Sequence, residues 1–145
     1  MKTLYTIGYQ GLTLALFIER LQRNNIDIVC DVREYAHLSW KTDFTKGNLQ
    51  TALAEADMQY FHLPELGLPA EARKNRMKIH DVFITHILDM THKYTNQLGK
   101  IILCISTNKR VALVGYEKQA SACQRSIVAR VVKYKMNDEV NIKHI

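Results

Sequence analysis

Residues 26–33 read IDIVCDVR, an apolar run that becomes polar at its carboxyl end. A run of this kind is typical of a strand that is buried on both faces of a parallel sheet. A helix is predicted before it, because four apolar residues recur at helical spacing between Leu14 and Leu21 and Thr13 is positioned to cap the first turn. The chain therefore contains a strand and a helix of the kind that build α/β folds.

The same alternation continues in both directions from this segment. Further strands are predicted at residues 3–7, 58–63, 111–117 and 140–145. Further helices are predicted at 45–56 with Thr45 as its cap, at 78–94, at 97–108 and after Ser121, although 101–105 could also form a strand by periodicity alone. The pattern predicts a single three-layer α/β domain over residues 1–145, with helices on both faces of a mostly parallel, Rossmann-like sheet of about five strands.

Composition narrows the class of protein. Of the 145 residues 47% are hydrophobic and 23% are charged, which is the balance of a globular domain rather than of a disordered chain. No apolar run approaches the roughly 20 residues that cross a bilayer, and no signal peptide is visible, so we expect a cytoplasmic protein without membrane contact. Three cysteines leave at least one unpaired; Cys30 and Cys104 lie in apolar runs and are predicted to be buried, reduced thiols.

The net charge of +6 favours an anionic partner. A small anionic ligand fits this charge, and so does a nucleic acid, particularly because residues 73–78 read RKNRMK. A basic surface that only keeps the protein in solution is the alternative. No glycine-rich phosphate loop, Ser-His-Asp order or metal-ligand spacing is recognisable, so no metal and no cofactor are predicted.

Polar residues gather where the predicted strands end. Because the carboxyl ends of parallel strands share one edge of the sheet, these residues should form a common site. They are Gly8, Tyr9, Asp31, Arg33, His62, Glu65, Glu117, Cys123, Arg125 and Ser126.

Each of these residue types has a chemical role at such an edge and a structural alternative. Arg33 and Arg125 could hold an anion with Gly8, Tyr9, His62 and Ser126 beside it, whereas Asp31 and Arg33 could instead form a structural ion pair. The carboxylates Asp31, Glu65 and Glu117 are acid/base candidates. Cys123 is either a nucleophile, its pKa lowered by the following helix start, or a structural thiol, and His62 is either a base or a core residue.

Seven short motifs along the chain together resemble the domain of unknown function 488 (DUF488) family. They are YTIGY at 5–9, DVR at 31–33, FTK at 44–46, HLPELG at 62–67, EK at 117–118, CQRS at 123–126 and HI at 144–145. The resemblance implies a three-layer α/β fold and adds His144 to the shared polar positions, but implies no settled activity. Members usually read Cys-His-Arg where this chain has Gln124, and commonly have a cysteine before the glutamate at 117.

Three functions are compatible with these observations. The first is a small enzyme or binding domain for a phosphorylated or nucleotide-like anion at the carboxyl edge of the sheet. The second is a nucleic-acid-associated protein without catalysis, and the third is a non-catalytic interaction or regulatory protein. The two departures from the family pattern would remove a dithiol function but leave an anion-binding function intact.

Overall fold

The computed structural model describes residues 1–36, 41–68 and 87–145. Its strands are β1 Lys2–Gly8, β2 Ile28–Asp31, β3 Gln59–His62, β4 Val111–Gly115 and β5 Val140–His144. They form one five-stranded sheet in the order β3-β2-β4-β1-β5, and every neighbouring pair is parallel. The predicted α/β fold class is confirmed, and in the described residues the sheet is entirely parallel.

Helices connect the strands, as a parallel sheet requires. Their bounds are α1 Leu14–Arg23, α2 Lys46–Glu55, α3 Thr95–Ser106 and α4 Gln124–Lys135, and residues 87–93 are also helical. Three short 3-10 turns lie at Thr42–Phe44, Pro64–Leu66 and Ala120–Ala122. None of the described helices is long and apolar enough to span a membrane.

Two apolar layers cover the sheet, one on each face. Side chains alternate along each strand, so Leu4 and Leu113 join the layer of α3 and α4. Tyr5 and Val114 join the opposite layer, which contains α1 and α2. The sheet therefore lies between two helical layers, and a polar side chain at a strand end belongs to one face or the other.

The helix α3 settles the ambiguity at residues 101–105, and the strand alternative is wrong. Ile101 and Ile105 are completely or almost completely buried, whereas Leu103 between them is 64% exposed. That spacing fits one buried face of a helix, and Leu98 extends the same face by one turn. Cys104 is consequently only half-buried, in contrast to the predicted burial, while Cys30 is buried as predicted.

The helix caps agree with the sequence at one position and differ at two. The Thr13 side chain accepts a hydrogen bond from the Leu16 N–H and caps α1 as predicted. Thr45 occupies the cap position of α2, but its hydroxyl donates to the Thr42 carbonyl and caps no helical N–H. The last helix begins at Gln124 rather than directly after Ser121, because the 3-10 turn Ala120–Ala122 comes first.

Several predicted features fall outside the described residues. These are the basic stretch 73–78, the first half of the helix predicted at 78–94, and part of the long loop between β2 and α2. Four of the five strands are shorter than predicted, β2 above all, since only residues 28–31 pair with both neighbours, whereas β1 is one residue longer at each end.

Candidate functional site

The predicted site residues separate into two clusters on opposite faces of the sheet. Asp31 follows Val29 by two positions, so it points into the layer of α1 and α2, whereas Thr6 follows Leu4 and points towards α3 and α4. We call the first group the Arg33 cluster: Tyr9, Asp31, Arg33, Tyr60 and His62. We call the second the Arg125 cluster: Thr6, Glu117, Cys123, Gln124, Arg125 and His144.

A buried ion pair forms the centre of the Arg33 cluster. The guanidinium of Arg33 binds Asp31 through two parallel hydrogen bonds, Nε to Oδ1 at 2.8 Å and Nη2 to Oδ2 at 2.7 Å. The Arg33 backbone N–H also donates to Oδ1, at 3.1 Å. Arg33 is only 4% exposed and Asp31 is fully buried. The structural ion pair that the sequence left open is therefore present.

The hydroxyl of Tyr60 supplies a further hydrogen bond to the same carboxylate, at 2.5 Å from Oδ2. Burial raises the pKa of the Tyr60 phenol, and the negative charge and hydrogen bond of Asp31 raise it further. The phenol thus remains protonated and donates. The Asp31 carboxylate accepts four hydrogen bonds from the described residues, which occupy both of its oxygens and make it a group that positions Arg33.

His62 and Tyr9 complete the surroundings of Arg33. Nε2 of His62 lies 2.7 Å from the Arg33 carbonyl oxygen and donates to it, which places the ring proton of His62 on that nitrogen. The guanidinium carbon of Arg33 lies 5.1 Å from the centre of the Tyr9 ring. Burial by itself lowers the pKa of Arg33, but the hydrogen bonds and charge of Asp31 outweigh it and raise the pKa, so the guanidinium stays charged.

One nitrogen of this fixed guanidinium is buried without a hydrogen-bond acceptor among the residues that the structure describes. Nη1 of Arg33 is buried and makes no hydrogen bond within the part of the chain that the structure describes. Buried polar atoms are almost always hydrogen-bonded, and a charged donor without an acceptor is costly. The orphaned nitrogen is the feature of this cluster that protein contacts do not explain.

The guanidinium of Arg125, by contrast, is engaged by the protein. It is 1% exposed, and its Nε donates to the Thr6 hydroxyl at 3.2 Å. Nη1 donates to the Glu117 carbonyl at 2.7 Å and Nη2 approaches the Lys118 carbonyl at 3.4 Å. Gly8 permits this approach, since a Cβ there would lie 1.9 Å from the Glu117 carbonyl oxygen. Arg125 therefore fixes the backbone that follows β4.

Thr6 connects Arg125 to the last strand, β5. Its hydroxyl accepts from Arg125 Nε and is hydrogen-bonded, at 2.6 Å, to Nδ1 of His144. Burial and the positive charges of Arg125 and Arg130 lower the pKa of His144. The neutral imidazole is thus the form that the arrangement accommodates.

Cys123 lies at the start of α4 with a protonated thiol. Burial raises its pKa and the nearby Glu117 carboxylate raises it further, against the lowering effect of Arg125. The predicted lowering of this pKa is therefore wrong, because removal from water and the charge of Glu117 together outweigh the effect of Arg125. Cys123 is 1% exposed, and its sulfur packs against Gly115: a Cβ added to Gly115 would lie 2.3 Å from that sulfur.

Two further predicted residues lie apart from the chemistry of both clusters. Glu65 is exposed in the 3-10 turn after β3, and no hydrogen bond or ion pair is found for it within the described ranges. The Ser126 hydroxyl donates to the Cys123 carbonyl at 2.9 Å and serves the first turn of α4. Among the described residues, no three His, Cys, Asp or Glu side chains are grouped as a metal site would need.

Comparison with known proteins gives one match. The family model of the domain of unknown function DUF488 matches residues 13–132, most of the 145-residue chain. The chain belongs to the DUF488 family. No curated protein and no solved structure matches it.

Gln124 has a structural role in this DUF488 chain, where it stands in place of the histidine of the Cys-His-Arg motif. The side-chain amide of Gln124 donates to the Val32 carbonyl at 3.0 Å, and its oxygen lies 3.4 Å from the Cys123 sulfur. Gln124 is 3% exposed. It therefore ties the start of α4 to the end of β2 and links the two clusters through backbone.

Sequence reasoning missed two members of the clusters in this DUF488 protein. Tyr60 lies two positions before His62 on β3, so strand alternation alone would have placed both on the face of Asp31. Thr6 is a fully buried polar residue between the apolar residues of β1, which is a signal that its hydroxyl has a partner.

Proposed function

We propose that this protein binds a phosphorylated or nucleotide-like anion at the carboxyl edge of its sheet, and that Arg33 makes the principal contact. The observation that carries the proposal is the buried Nη1 of Arg33, a charged donor without an acceptor in the described ranges 1–36, 41–68 and 87–145. Phosphate and carboxylate oxygens are the acceptors that a guanidinium pairs with best. Ligands of open α/β sheets also bind at this edge.

The contacts around Arg33 fix the position of its guanidinium and also favour tight binding of an anion. Asp31 holds two of its side-chain nitrogens, and His62 holds its carbonyl. A side chain that is already ordered loses little conformational entropy when a ligand binds. The net charge of +6 would add long-range attraction for an anion.

The Arg125 cluster contributes structure to this function. Its guanidinium holds the two carbonyls after β4, and the buried Cys123 thiol is protonated and shielded. A protonated, inaccessible thiol is a poor nucleophile. The proposed activity is therefore binding.

The test is a thermal-shift screen with phosphate, sulfate, mononucleotides, sugar phosphates and short oligonucleotides. A ligand at about 100 times its dissociation constant stabilises the folded protein by about 2.7 kcal/mol, a shift of several degrees for a domain of this size. The deciding variant is the double substitution Asp31→Asn with Arg33→Gln, which removes both charges of the buried pair. Removing both avoids the cost of one buried charge left alone.

This double variant keeps the net charge, so it separates a specific Arg33 contact from general attraction. The ligand-induced shift should disappear in it and persist in Arg130→Gln, which removes an exposed cation from α4. Arg33→Lys, which keeps the charge but not the planar fork, should weaken binding strongly. An unchanged shift in the double variant would refute the proposal, and a shift with oligonucleotides alone would favour the nucleic-acid function.

A further inference from the structure

Glu34 follows Arg33 directly and holds a second buried atom without a partner. Its Oε2 is buried and accepts no hydrogen bond from the described part of the chain. The backbone of Glu34 is held closely by Gly67, where a Cβ would lie 2.2 Å from the Glu34 nitrogen. Adjacent residues at the end of β2 thus present one unsatisfied donor and one unsatisfied acceptor, of opposite charge.

We propose that the ligand carries a hydrogen-bond donor group as well as its anionic group, with Arg33 Nη1 binding the anion and Glu34 Oε2 accepting from the donor. This inference rests on the proposed anion-binding function and specifies its ligand class. An anion with acceptor atoms alone would leave the buried Oε2 of Glu34 without a donor. An ammonium, amino or hydroxyl group on the same ligand satisfies both residues at once.

Phosphate monoesters make a matched series for the test. At pH 8 the phosphate is a dianion and donates no proton. Ethyl phosphate then offers acceptors only, whereas 2-hydroxyethyl phosphate, phosphoethanolamine, phosphoserine and AMP add donor groups at different distances. Dissociation constants are measured by titration calorimetry for the wild type, for Glu34→Gln and for Glu139→Gln, which removes an exposed carboxylate elsewhere.

At least one donor-bearing ester should bind the wild type more tightly than ethyl phosphate does. Glu34→Gln should weaken the binding of that ester by roughly tenfold or more, which is the effect of losing a charged hydrogen bond. The affinity for ethyl phosphate should stay the same or increase. Glu139→Gln should change neither value.

The inference and the proposed function fail in different ways. If ethyl phosphate binds through Arg33 but no donor-bearing ester depends on Glu34, the inference is wrong and the proposed function stands. If no phosphate of any kind binds through Arg33, the proposed function is wrong and the inference falls with it.

Discussion

Gly115 and Cys123 lie in contact at the carboxyl edge of the sheet, and this contact predicts the result of a double-mutant cycle. A Cβ on Gly115 would lie 2.3 Å from the Cys123 sulfur, far inside the contact distance of two such atoms. Its next neighbours, Cδ and Nη1 of Arg125, lie at 3.4 and 3.6 Å, at ordinary contact distances. The sulfur is therefore the one severe obstacle to Gly115→Ala.

The magnitudes follow from the two single changes. Gly115→Ala overpacks a buried strand end and should lower the free energy of unfolding by about 2 kcal/mol, within the usual range for overpacking. Cys123→Ala removes one buried sulfur and should cost about 1 kcal/mol. In the double variant the cost of removing the sulfur remains, but the new Cβ at position 115 no longer meets it. The double variant should therefore be destabilised by about 1 kcal/mol rather than by the sum of about 3 kcal/mol.

The assay is urea unfolding of the wild type, both single variants and the double variant. Gly8→Ala provides the control, because its Cβ would lie 1.9 Å from the backbone oxygen of Glu117 and Cys123→Ala cannot relieve that clash. Additive costs for Gly115→Ala and Cys123→Ala, within about 0.5 kcal/mol, would refute the contact. Relief of Gly8→Ala by the same cysteine change would refute the steric explanation.

Two further predictions concern titration and reactivity. Burial and the charges of Arg125 and Arg130 lower the pKa of His144 from its ordinary value of 6.5. Below pH 6.5 the unfolded chain therefore binds more protons than the folded protein, so the free energy of unfolding should fall as the pH is lowered. The fall should be less steep for His144→Asn. A slope unchanged in that variant would contradict the lowered pKa of this ring beside Arg125 and Arg130. Cys104 is half-buried while Cys123 is buried, so mass spectrometry should find iodoacetamide on Cys104 first, and rapid labelling of Cys123 would contradict its burial.

Asp31 has a positioning role in the structure that its place at a strand end does not reveal. As a carboxylate at a strand end, it was an acid/base candidate. In the structure the side chains of Arg33 and Tyr60 occupy its two oxygens, and it orients the arginine. Which polar residues hold others in place, and which keep a polar atom without a partner among the described residues, depended on tertiary contacts.

The sequence by itself determined the fold class and the edge of the sheet at which polar residues gather. Alternating apolar runs and amphipathic helices are local patterns, and the carboxyl ends of parallel strands must share one edge, so residues such as Asp31 and Cys123 could be assigned to it. The short-range cap at Thr13 was predictable for the same reason, since a helix start depends on a few neighbouring residues.

Only the tertiary structure decided the strand order and the separation of the polar residues into two clusters. β4 lies between β1 and β2 although it comes later in the chain, so contacts such as Arg125 with Thr6 join residues far apart in sequence. Burial decided the remainder. The pKa of Cys123 rises because desolvation exceeds the lowering effect of Arg125, and Nη1 of Arg33 has no acceptor in the described part of the chain while Asp31 occupies Nε and Nη2. Desolvation and pairing are properties of packed surroundings, which no local pattern specifies.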